Sequence, residues 1–179
     1  KFGFILKNND YVIYNASSFY QDIKFKSDEI RIREKDSAFL FNGNISTSKN
    51  DLNLKTISKI FQLDLNSIEN DKIIFSSNNK ISFKLSKKFK FSNIKANSKF
   101  NIESLEYPSP YLKEFFPGYK DGVKFKNNVV NLDYQNGNYK LSGDSKLNIN
   151  EDIDSLGYSI EKQKDKIFFK TDFELKNNA

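Results

Sequence analysis

Glu151-Asp152-Ile153-Asp154 places three carboxylates within four residues, a density that would suit a calcium loop. The spacing fails, because counted from Asp152 the fifth loop position is Leu156, which has no oxygen to offer. A polar loop between strands is the better reading. Glu103 and Glu106 could pair as general acid and base, yet no binding motif surrounds them, and they read as outward residues of a strand. The chain contains no His, which removes the commonest general base and transition-metal ligand, and no Cys, which removes thiol nucleophiles, thiolate sites and disulfides. Its 7 Gly are scattered and form no phosphate loop, and there is no nucleophile elbow. Asn15-Ala16-Ser17 and Asn44-Ile45-Ser46 match the glycosylation sequon, a pattern that arises readily by chance in an Asn-rich chain. These residues predict no catalytic group, no metal site and no cofactor, and hence no enzyme.

Charge allows a second chemistry. The 179 residues carry 29 Lys+Arg against 23 Asp+Glu, a net charge of +6. Such a surface could meet nucleic acid or anionic membrane; solvated strand faces in a chain biased to Lys, Asn, Ile and Phe account for it more simply. Binders of single-stranded nucleic acid bring aromatic platforms and cations to the same ligand. Along Lys166 to Lys176, Lys166, Lys170 and Lys176 alternate with Ile167, Phe169, Phe173 and Leu175, so cations and platforms point apart. No nucleic-acid partner is expected. No stretch approaches 18 consecutive apolar residues, so nothing reads as a spanning helix.

The same alternation runs through almost the whole chain. In ISFKLSKKFKF, Ile81, Phe83, Leu85, Phe89 and Phe91 fall on odd positions, and all the other residues but Lys87 fall on even ones. That predicts one long strand with an apolar and a cationic face. Phe100 with Ile102, Val123 with Phe125, Leu132 with Tyr134, and Tyr158 with Ile160 repeat the pattern. So do Leu141, Leu147 and Ile149, with Gly143 read as a bulge. Asn8-Asn9-Asp10, Glu34 to Ser37, Asn78-Asn79, Asn127-Asn128, Asn136-Gly137-Asn138 and Gln163 to Asp165 read as turns. Helical spacing is confined to Leu54, Ile57, Ile60 and Phe61, with one further turn over Tyr111 to Phe116. The fold class is therefore mainly β, a long antiparallel meander with one or two short helices. Two such helices cannot cover one face of ten or more strands. Either the sheet closes or folds over, or something else fills it, and the pattern leaves both open. An acyl chain would suit the apolar face, since burial returns about 0.8 kcal/mol per methylene, on the order of 12 kcal/mol for sixteen carbons.

Three elements between Phe115 and Asn178 carry a family resemblance: LSGDSKLNIN around Gly143, LGYSIEK containing Tyr158, and KIFFKTDFEL. Together they resemble the repeating β units of AsmA-like proteins, especially the YhdP-type branch. Upstream, DLNLKTISKIFQLDL resembles the short helix those proteins insert between long strands. The likeness begins near Asp51; residues 1–50 add compatible strands without a motif. It implies a sheet curved into an open, taco-shaped groove that conducts phospholipid between inner and outer membrane. The alternating apolar residues named above, Ile81 to Leu175, would be its lining. It further implies a periplasmic protein attached to the inner membrane through a region outside this sequence. Its partners would be phospholipid acyl chains and neighbouring β repeats of the same chain, and it supplies no catalytic residues. On this reading residues 1–179 are a single β-groove segment, an internal fragment of a longer protein, with possible sub-units 1–50, 51–106 and 115–179. The alternatives are a closed lipocalin- or LolA-like carrier of one lipid, and a structural β-sandwich with a dry core.

Overall fold

The computed structural model describes residues 2–7, 10–20, 23–53, 55, 58, 72–107, 123–148 and 153–174. They form ten strands: β1 (Gly3–Lys7), β2 (Asp10–Tyr20), β3 (Ile23–Lys35), β4 (Ala38–Asn53), β5 (Lys72–Ser86), β6 (Phe91–Tyr107), β7 (Val123–Gln135), β8 (Asn138–Asn148), β9 (Ile153–Gln163) and β10 (Lys166–Glu174). Each pairs antiparallel with the next, giving one sheet in the order β1 to β10. Among the described residues β1 and β10 each pair with one strand and not with each other, so the sheet is open rather than a barrel. The expected helices at Leu54–Phe61 and Tyr111–Phe116 fall outside the described residues, apart from the isolated Lys55 and Ser58. A division at 50/51 would cut β4.

Local chemistry sets the hairpins. Asn136 and Gly137 both have positive φ (50° and 89°), and the loop closes between the pair Gln135 and Asn138. Asp36 and Ser37 (49° and 58°) make the equivalent turn between Lys35 and Ala38. Two left-handed residues give a turn whose twist matches that of the flanking strands.

Four expectations are corrected. Ile81 to Phe91 is a hairpin, not one strand: β5 stops at Ser86, and Ser86 N donates to Lys90 O at 3.0 Å across the turn. Phe89 sits in that turn with φ 57° and is 81% exposed, so it is no part of a wall. Asn78-Asn79 lies inside β5, where the ladders to β4 and β6 continue through it. Asn127-Asn128 is a bulge within β7, with Asn127 at φ 52°, and the ladder to β8 shifts register there. Gly143 is not a bulge, since it pairs regularly with Val130 and Tyr158. It is small because the Tyr158 ring lies across it, and a Cβ there would come within 2.3 Å of Cζ.

Bulges also explain why apolar numbering changes parity along single strands. β3 shifts register between Lys26 and Ile30, and β4 between Thr47 and Asn50. An extra residue turns the following side chains over, so Phe25 and Ile30 share a face despite opposite parity. Among the described residues the buried apolar side chains are few: Val12, Ile23, Ala38, Ile73, Val123 and Leu147.

Candidate functional site

Cross-strand register shows which apolar residues share a surface. Ile81 of β5 pairs with Gly43 and Ala96, and Ala96 with Tyr134. One step along, Leu132 pairs with Leu141, Leu141 with Ile160, and Ile160 with Phe169. Phe100 pairs with Val130, Leu105 with Phe125, and Phe125 with Leu147. Directly opposed residues point the same way, so these lie on one face of the sheet. Phe83, Leu85, Phe91, Ile102, Val123, Tyr158, Ile167 and Phe173 join it by alternation and pairing. Val123 and Leu147 are buried at the end of the sheet where β7 begins and β8 ends. Ile149 and Leu175 fall outside the described residues.

An aromatic cluster sits near the β5–β6 turn. The Phe41 and Phe83 rings stack at 4.6 Å, and Phe91 meets Phe83 edge-on at 5.3 Å. Phe41, its neighbour Phe39, and Ile30 and Ile32 of β3 belong to the same face. Sequence reading placed strands there but left these four out of the lining, although their alternation was visible. Beside them, Phe2, Ile13, Ala16, Phe25, Ile30 and Ile45 help line a shallow cavity of about 340 Å³.

The apolar stripe is interrupted. A band of buried small polar residues crosses its middle: Ser27, Thr47, Ser77, Ser98, Asn128 and Ser145, with fully buried Asp154 at one end. The bulges explain it, because they free backbone groups that must find partners. Asn128 Nδ2 donates to the carbonyls of Ile102 (3.2 Å) and Phe125 (3.3 Å), and Ser145 Oγ donates to Asn128 Oδ1 at 2.6 Å. Beside the β4 bulge, Ser77 N donates to Thr47 Oγ1 at 2.9 Å. No buried side-chain polar atom among the described residues lacks a partner, so the band is a self-satisfied seam rather than a waiting ligand site. Burial, and after it the Asp144 carboxylate, raises the pKa of the half-buried Tyr158 phenol.

The opposite face is polar. One register row reads Lys80, Asn97, Asp133, Lys140, Glu161 and ends at Phe168 on β10. Asp10 and Arg33 form a forked ion pair on this face, at 2.5 and 2.8 Å, and the Arg33 hydrogen bond holds the Asp10 carboxyl below its ordinary pKa. The two glutamates weighed as an acid–base pair are each held by a lysine, Glu103 by Lys49 and Glu106 by Lys124. Among the described residues there is no cluster of metal-ligating side chains and no helix long and apolar enough to cross a membrane. Comparison with protein-family models, curated proteins and solved structures gives no match to this chain.

Proposed function

We propose that the apolar face binds lipid acyl chains, and that the chain is a non-enzymatic, lipid-conducting β-groove segment of a cell-envelope protein. One observation carries the reading. One open sheet of ten strands gathers Phe, Leu, Ile and Tyr on one face, and among the described residues each strand packs against its neighbours in the sheet, with no second layer over that face. Large uncovered apolar surfaces mark binding grooves or interfaces. Nine inter-strand steps of about 4.8 Å make the face roughly 43 Å long across the strands, longer than the ~30 Å hydrocarbon core of a bilayer. The polar seam runs along that direction, leaving an apolar field on the β5–β6 turn side long enough for acyl chains to lie across several strands. The likeness to AsmA-like proteins, resting on the elements quoted above, supports phospholipid as the cargo and the periplasm as the compartment.

The test is organic extraction of the purified protein, with mass spectrometry for co-purified phospholipid, beside a Phe83→Asp variant checked by circular dichroism. Stoichiometric phospholipid in the parent and its loss from a folded variant is the expected result. A folded parent without lipid would sink the proposal.

A further inference from the structure

A cavity of about 1050 Å³ lies beside the β7–β8 and β9–β10 turns, and two register rows of the polar face help line it. The first runs from Lys80 through Asn97, Asp133, Lys140 and Glu161 to Phe168, and the next holds Ser82, Lys95, Gln135 and Asn138. Five inter-strand steps of about 4.8 Å make the first row roughly 24 Å long, which suits a chain laid across the strands. Six lysines line the cavity against three carboxylates, Asp133, Glu161 and Asp165. Among the described residues none of the six is ion-paired, whereas Lys49, Lys87, Lys124 and Lys170 elsewhere each hold an acid. Two of the cavity's carboxylates are engaged by amides: Asn97 Nδ2 donates to Asp133, and Gln163 Nε2 to Glu161. A cleft with an excess of one charge concentrates ligands of the other.

We infer that this cavity binds an acidic polysaccharide, laid across β5 to β10 with its carboxylates on the lysines. Lys80 and Lys140 are three strands apart, roughly 14 Å, with Asn97 and Asp133 between them. That spacing suits a chain whose charges are separated by neutral units. Side-chain amides donate and accept hydrogen bonds and carboxylates accept them, which is what sugar hydroxyls require of their partners. Phe168, 53% exposed, ends the row with a ring against which the C–H face of a sugar can lie. A nucleic acid fits less well. It carries a charge on every nucleotide, so Asp133 and Glu161 would oppose it, and the two rows offer one ring rather than a succession of stacking platforms. The site is separate from the apolar face and stands whether or not that face holds lipid.

Isothermal titration calorimetry of the whole chain tests it with hyaluronan oligosaccharides, which alternate a uronate with a neutral N-acetyl sugar. Neutral chitin oligosaccharides, oligothymidylate and vesicles containing phosphatidylglycerol are the comparisons. Hyaluronan should bind, and more tightly than any of the three. Lys80→Gln and Lys140→Gln should each weaken it about tenfold. Lys35→Gln, which removes the same charge outside the cavity, should leave it unchanged, with circular dichroism checking that every variant stays β. Absence of hyaluronan binding would overturn the proposal. So would equal losses in Lys140→Gln and Lys35→Gln, which would mean attraction by net charge alone. Tighter binding of oligothymidylate would also overturn it in favour of a nucleic acid, and vesicle binding in place of hyaluronan, lost in Lys140→Gln, in favour of anionic headgroups.

Discussion

Arg33 and Asp10 face each other across β2 and β3, and the guanidinium fork engages both carboxylate oxygens. Because the folded-state pKa of Asp10 is depressed, the stability it contributes is fully present above the ordinary aspartate value near 3.9 and is lost as pH falls below it. Thermal melts of the parent and Asp10→Asn should therefore differ at pH 6 and converge as pH drops below about 4. A gap that stays constant with pH would show that Asp10 acts by packing. At this scale the sequence was a mixed guide. Glu103 and Glu106 were legible as outward strand residues, and lysines do hold them. Tyr158 was legible as a strand residue, but its place over Gly143 was not, because the register that brings positions 143 and 158 together is set by the β8–β9 pairing. A glycine in a strand has several possible causes, and only the partner strand selects among them.

Strands show where alternation suffices and where it misleads. Phe89 preserved the odd-numbered pattern only by adopting a left-handed conformation in a turn, so the period-2 signal ran straight across a chain reversal. Asn78-Asn79 and Asn127-Asn128 are the same dipeptide, yet neither is a turn. The first lies in a continuous ladder with Asn79 donating to Ile45 O, and the second forms a bulge. Asn serves all three roles, and what distinguishes them is non-local. Asn128→Ala strips partners from the carbonyls of Ile102 and Phe125 and from the Ser145 hydroxyl, and should destabilise the fold by about 1–3 kcal/mol. Asn131→Ala, on the polar face of the same strand, should change it by less than ~0.5 kcal/mol. Urea denaturation of the two variants decides; equal effects would mean that the seam residues fill space rather than satisfy backbone.

For the molecule as a whole, the antiparallel meander was legible in the alternating stripes and in the turns Glu34 to Ser37, Asn136-Gly137-Asn138 and Gln163 to Asp165. The seam was not, because it exists only where bulges on separate strands align. Whether the sheet would close could not be read either, since closure depends on whether β1 meets β10, and no residue spacing encodes that. Openness has a dynamic consequence. Strand order equals chain order throughout, so every ladder joins chain neighbours and the sheet is a linear array of hairpins. Stability in such an array is close to a sum of nearest-neighbour terms, and opening starts from the ends. Native-state hydrogen exchange should then show amide protection rising from β1 and β10 toward β4–β7, with no single global opening shared by all ten strands. Equal protection in β10 and β5 would contradict this. A chain built this way can add hairpins as it is synthesised, each new strand templated by the one before, without waiting for its far end.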